Sequence, residues 1–206
     1  TMNLIFASIP ALLISRRAIA ALYADGRSMI FKRNIVDLPF DQDYFMYGED
    51  VYFGWRMRMK GYEVVYASLP LFKHIKSAAA MKVKGLKAYY LVRNRLLNIF
   101  ILYEISTILK VLPLLVVWFT IMLILNPRGR LKIIPWMMKN MKVILKKRKK
   151  IQSERHIPDK EIIKFMTSKI VSWDKGIYKM ANKLAYWYCC LVGLRTYEFY
   201  NENSTF

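Results

Sequence analysis

The stretch Phe40-Asp41-Gln42-Asp43-Tyr44-Phe45-Met46-Tyr47-Gly48-Glu49-Asp50-Val51 decides how this chain is read. With Asp37 just upstream it gathers five of the chain's 14 acidic residues, interleaved with four aromatics. Asp41 and Asp43 suit a capped turn, and Glu49 and Asp50 suit a helix first turn, where carboxylates complement the dipole. Gly48 permits close backbone approach. An aromatic-walled turn opening onto a helix can hold a carboxylate against a sugar ring.

Working outward, Glu49 to Lys60 is predicted as a helix. Arg56, Arg58 and Lys60 fall in its last turn, and Gly61 stands where a left-handed residue is wanted. Tyr62 to Ala67 has strand composition. Upstream, Ala11 to Ser15 is predicted as a short buried strand, and Ala18 to Ala24 as a short helix closed by Asp25-Gly26. Apolar runs alternating with turn signals over residues 1–103 predict an α/β architecture.

Beyond that domain the composition changes. Between Glu104 and Arg128 lie 23 residues with one charge, Lys110; a membrane span needs roughly 20 apolar residues. The uncharged part is shorter and contains Pro113, so a crossing, a re-entrant or in-plane course, and a buried core helix all fit its length. From Arg128 to Lys175 there are 15 Lys and Arg against four Asp and Glu. Within this stretch Ile134, Met137, Met138, Met141, Ile144 and Leu145 fall on one helical face, with Pro135 suited to a first turn. A basic helix beside an apolar run suits an anionic membrane surface. The expected organisation is thus a domain over 1–103, an apolar membrane-associated segment over 104–127 and a basic, mostly helical tail over 128–206.

The 206-residue chain is 55% hydrophobic with a net charge of +20, which excludes intrinsic disorder. Nucleic acid is the competing anionic partner; no nucleic-acid motif is present, and none is expected to bind. The two cysteines, Cys189 and Cys190, are adjacent and bridge poorly, so a reducing compartment is expected. Two histidines leave no room for a His-rich metal cluster. The opening Thr1-Met2-Asn3-Leu4 lacks the basic start of a signal peptide and has the look of a fragment.

The acidic stretch, followed by Arg56, Lys60-Gly61-Tyr62-x-Val64-Val65-Tyr66, His74 and Tyr89-Tyr90-x-x-Arg93-Asn94-Arg95, resembles family 2 glycosyltransferases. The likeness is strongest to the rhamnosyltransferase-like branch that builds cell-surface polysaccharides and glycolipids. It covers residues 7 to about 100 and extends to Pro158-Asp159-Lys160-Glu161-Ile162 in the tail. The resemblance implies a GT-A (Rossmann-like) fold and inverting transfer of a sugar from a nucleotide-diphosphate donor to a hydroxyl of a lipid-linked or polysaccharide acceptor. Asp50 matches the general base, with Glu49 beside it; Asp41, Asp43, Tyr47, Arg56 and Arg93 are the implied substrate-binding residues. His74 matches a histidine near the donor diphosphate and its divalent cation, Mg or Mn. Where relatives often carry a further acid this chain has Tyr52. The family's nucleotide-binding half and its metal-holding Asp-x-Asp have no counterpart here, so most metal ligands and the donor pocket are expected from elsewhere. The chain would then supply the acceptor half and be inactive alone, on the cytoplasmic face of the cell membrane.

Overall fold

Glu49–Met59 forms α1, the helix around which the rest is built. Its N-cap, Gly48, is left-handed at φ 84°. The C-terminus closes in a Schellman arrangement: Gly61, at φ 89°, donates to the Arg58 carbonyl (3.0 Å), and Tyr62 donates to that of Met57 (3.0 Å). Val51, Tyr52, Phe53, Gly54, Trp55, Met57 and Met59 are all buried, so neighbours surround the helix. The structure, a computed structural model, describes residues 19–26, 29–32, 35, 40–66, 86–125, 127–171 and 175–201.

Three sets of neighbours cover α1. On one side β1 (Ile19–Ala20) and β2 (Val65–Tyr66) pair antiparallel, Ile19 opposite Tyr66 and Ala20 opposite Val65. The guanidinium of Arg58 ties the ladder's end to the helix, donating to the carbonyls of Ala21 (2.7 Å) and Val64 (2.6 Å). On a second side runs α2 (Leu86–Leu102), and just past its end Tyr103 meets Trp55 edge-on at 4.6 Å. The third is residues 154–157, where His156 and Ile157 donate to the Met59 carbonyl at 2.8 and 3.0 Å.

The remaining helices are α3 (Ile105–Leu125), α4 (Pro127–Arg130), α5 (Ile133–Lys139), α6 (Met141–Ser153), α7 (Asp159–Ile162), α8 (Ile177–Leu191) and α9 (Tyr197–Tyr200). α6 lies along α2 and caps its C-terminus. Arg148 donates to the carbonyls of Phe100 (2.5 Å) and Tyr103 (2.7 Å), Gln152 to those of Ile101 and Leu102 (both 2.9 Å), and Arg155 to that of Leu102. Carbonyls that a helix end leaves orphaned are thus met by two guanidinium groups, which the dipole also favours, and by one amide. One apolar cluster runs from Leu22 through Trp55, Tyr103 and Trp118 to Leu194, with members from all three stretches of sequence.

The α/β, Rossmann-like expectation is overturned. Among the described residues the architecture is helical, and strand pairing amounts to β1 and β2, two residues each and antiparallel. A doubly wound sheet needs parallel strands of about five residues joined by crossovers. Here the described apolar residues of the region go mostly into helices that pack on one another, and among the described residues strand composition over 62–66 yields a ladder at Val65–Tyr66. The helix expected over 18–24 is also corrected: Ile19–Ala20 is strand and Ala21 donates to Val64 at 2.9 Å. Alanine's helix propensity loses to this pairing and to the hold of Arg58. The strand expected at 11–15 lies outside the described residues. The apolar face expected over 134–145 divides at Asn140, between α5 and α6, into buried Met137 and Ile144 and exposed Ile134, Met138, Met141 and Leu145.

Candidate functional site

The acidic stretch folds into a pinned loop. Asp41 caps a 3-10 turn over Gln42–Tyr44, its carboxylate accepting from the Asp43 N–H at 3.0 Å. Phe45 then adopts φ 58°, ψ −56°, and Met46 donates to the Tyr44 carbonyl at 2.6 Å. This is a γ-turn of the rare, strained hand. Tyr47 (φ 63°) and Gly48 (φ 84°) are also left-handed. Bulky residues in this region cost of order 1–3 kcal/mol each and persist where the surroundings over-determine them.

α2 provides that over-determination. The Asn94 amide nitrogen lies within hydrogen-bond distance of three loop carbonyls, Tyr44 (2.8 Å), Met46 (2.8 Å) and Tyr47 (2.6 Å). Arg93 donates to the carbonyls of Asp43 and Tyr44, and its Nε holds the Asn94 carbonyl oxygen at 2.9 Å. Asn98 accepts from the Tyr44 hydroxyl at 2.5 Å and donates to the Gly48 carbonyl at 3.3 Å. Arg93 is buried, its guanidinium stacked on Tyr90 (4.6 Å) and Trp136 (4.5 Å). It thus grips the loop through its backbone.

The loop delivers Glu49 and Asp50 to the start of α1. One Asp50 oxygen accepts from the Val51 N–H (2.8 Å) and the other from the Gly26 N–H (3.4 Å). No cation pairs with either acid among the described residues. Burial first, and then the charge of Asp25, push the Asp50 carboxyl above its usual range. Burial, with Asp50 and Asp25 adding, does the same for Glu49, whose Oε2 is buried without a hydrogen-bond partner among the described residues. Such a carboxylate holds a proton more readily than one in water, as a proton acceptor at neutral pH requires.

A second group lies across the helix. Asp41, Asp43, Tyr52, Arg56, Lys147 and Lys150 line a cleft of about 400 Å³. Lys147 bridges the loop to α6, 2.6 Å from Asp41 and also paired with Asp43. Arg56 and Lys60 share Glu154, each at 2.9 Å. Burial pushes the Tyr52 phenol up to about 12, so it remains a donor.

Of the residues expected to act together, Asp41, Asp43 and Arg56 meet in this cleft. At 3.6 residues per turn, however, Tyr52 and Arg56 leave α1 nearly opposite to Asp50 and Gly54. Asp50 therefore faces away from the cleft, and Glu49, on the same side of α1 as Tyr52, is not among the residues that line it. Tyr47 borders the loop under Lys87, 5.7 Å from its ring centre, and His74 lies outside the described residues.

No protein-family model matches this chain, and neither curated proteins nor solved structures give a match. The site stands on its geometry.

The described residues offer no site for a divalent cation. No group of three His, Cys, Asp or Glu side chains among the described residues could hold one, and Asp41 and Asp43 turn their oxygens to Lys147 and the turn backbone. Sequence reasoning missed Lys147, Asn94, Asn98 and Asp25. Asn94 stood inside the Arg93-Asn94-Arg95 motif, whereas Lys147 is one of five consecutive cations and nothing in the sequence sets it apart.

Proposed function

We propose that the chain acts in glycosyl transfer at a membrane surface, with Asp50 as the base on the acceptor side. An alcohol is a poor nucleophile at neutral pH. In this reading the Asp50 carboxylate takes the acceptor hydroxyl's proton as that oxygen bonds to C1 of the sugar, and the C1–O electron pair leaves with the nucleoside diphosphate. Across α1 from Asp50, the cleft residues Asp41, Asp43 and Arg56 hold a more distant part of the acceptor, Tyr47 borders the loop between them, and Arg93 positions the loop. The donor and any cation it requires are assigned to groups outside the described residues, and the chain is placed on the cytoplasmic face.

The observation that carries the reading is the strained γ-turn at Phe45, which α2 fixes through Asn94 and which leads directly into Glu49-Asp50. Strain maintained by a dedicated set of buried hydrogen bonds marks functional loops. The ordered motifs over residues 40–95 support the same reading.

The test is Asp50→Asn in the full-length protein in its membrane, assayed for transfer from UDP-, GDP- and dTDP-sugars to lipid-linked acceptors. Transfer is expected to fall by roughly 100- to 10,000-fold with thermal stability not reduced, and Glu49→Gln is expected to be milder. Activity within threefold of the parent would sink the assignment. A second reading, a non-catalytic basic membrane-surface protein, is favoured by the internal compensation of the cleft, where Lys147 and Arg56 already have carboxylate partners. Undiminished lipid binding with no transfer by the parent protein would favour it.

A further inference from the structure

We propose that α8 is a membrane-docking helix that lies beside α3 in the plane of an anionic leaflet. The inference rests on the membrane reading above and names a surface outside the basic α5–α6 region. Ile177, Met180, Leu184, Trp187 and Leu191 follow one another at intervals of three or four residues and are 60–83% exposed. They form one unbroken apolar stripe. The opposite face of α8 is already occupied: Ala185 and Cys189 are buried, and the Asn182 carboxamide oxygen accepts from the N–H groups of Ile170 (3.0 Å) and Val171 (3.1 Å).

α3 presents a second stripe beside the first. Ile105, Leu109, Leu112, Val116, Val117 and Ile124 are 44–75% exposed, and only 28% of the helix's most apolar window is buried. The two helices touch where the Tyr188 hydroxyl donates to the Lys110 carbonyl at 2.9 Å. Around α8, Tyr188 is next to the stripe on one flank, and Lys179 and Lys183 are next to it on the other. The apolar strip thus runs between the α3 seam and a row of cations, as in a helix at the headgroup boundary. Trp187 suits that depth, its ring being apolar with one polar edge.

The occupant follows from charge. A second copy of a +20 chain is repelled at long range, whereas anionic lipid attracts each lysine near its surface. A transmembrane course for α3 conflicts with its inner face. Val111, Leu114, Leu115 and Trp118 are buried against the body, and Trp118 lies 4.9 Å from the guanidinium of Arg95. That contact would carry Arg95 into the bilayer core.

The test is co-sedimentation of the full chain with phosphatidylcholine vesicles, with and without phosphatidylglycerol. Leu184→Gln with Trp187→Gln is expected to lower partitioning on both by about tenfold or more, the factor for losing one large buried apolar side chain. Thermal unfolding should not change, since both residues are exposed. Lys179→Gln with Lys183→Gln is expected to weaken only the anionic case. As a second measurement, Leu191→Cys in a Cys190→Ser background, carrying a polarity-sensitive dye, should shift to the blue when vesicles are added. Undiminished partitioning of the double variant, or an unshifted dye, would overturn the role of α8 while leaving the membrane reading standing on α3, α5 and α6. Failure of the parent protein to bind either vesicle would remove the membrane reading and this inference together. A dimer in sedimentation velocity that Leu184→Gln with Trp187→Gln dissolves, with vesicle binding unchanged, would assign the stripe to a second copy.

Discussion

Phe45 and Asn94 are two ends of one device: the first is strained and the second keeps it so. Asn94→Ala leaves the carbonyls of Tyr44, Met46 and Tyr47 short of a donor, and one unsatisfied buried group costs about 1–3 kcal/mol. The expected loss is about 3 kcal/mol in urea unfolding, with transfer falling further than the population of folded protein explains. A packing limit lies on the other face of α1. A Cβ at Gly54 would sit 2.4 Å from the Tyr23 Cβ and 2.5 Å from its Cα, so Gly54→Ala must separate helix and ladder. Despite alanine's better helix propensity it should destabilise by about 1–3 kcal/mol, the cost of overpacking; a stabilised variant would show that the contact yields freely. Asp50 has the opposite sign. Its folded carboxyl is raised, so the folded state keeps the proton to higher pH, and stability declines as pH climbs from the ordinary carboxyl range through the folded value. Asp50→Asn should therefore gain stability over the parent as pH rises from about 4, measured as melting temperature against pH, while losing transfer.

At the scale of elements, the junction of α2, α6 and α7 is closed by one buried pair. Asp159, 1% exposed, takes Arg155 at 2.9 Å and the Glu104 N–H at 2.7 Å. Burial raises its carboxyl despite the guanidinium. Removing one partner of such a pair costs about 3–5 kcal/mol, so Arg155→Ala should lower stability by that amount. Asp159→Asn should recover part of the loss in the Arg155→Ala background, and full additivity of the two changes would show that they do not interact. Elements whose information is local were legible in the sequence. α1 was, because Gly48, Glu49, Asp50 and Gly61 state its ends, and so was the capped turn at Asp41. β1 was not, because Ile19–Ala20 is made strand by Val64 and Arg58, more than 35 residues away. The division at Asn140 escaped notice because period alone does not show that Asn140 donates to the Trp136 carbonyl at 2.8 Å, at the boundary of two helices. Asp41, Asp43 and Arg56 were placed near one another by motif, but the cleft they line depends on Lys147, a contact spanning about a hundred residues.

At the scale of the whole molecule, the membrane surface proposed for α8 combines an apolar stripe with lysines beside it. Binding to anionic vesicles should decline as salt is raised and level off at the value for neutral vesicles, since salt screens the lysines and leaves the stripes. A decline to zero would show that the apolar faces do not enter. Single cysteines at Ile105 and Ile124, the two ends of α3, should react with an impermeant maleimide from the same side of sealed vesicles; protection of one of them would mean that the helix crosses. Finally, Met59 at the end of α1 has its carbonyl met by His156 and Ile157, and Arg56 beside it pairs with Glu154. On the ribosome those partners follow about a hundred residues later, roughly 5–20 s at ordinary elongation rates. During that interval α1 lacks the third of its covers, while the apolar face of α3 has already been synthesised. If the proposed membrane reading holds, the nascent chain meets the lipid surface before its core can close, and pulse-labelled chains arrested before residue 150 should be protease-sensitive at α1 yet already sediment with membranes.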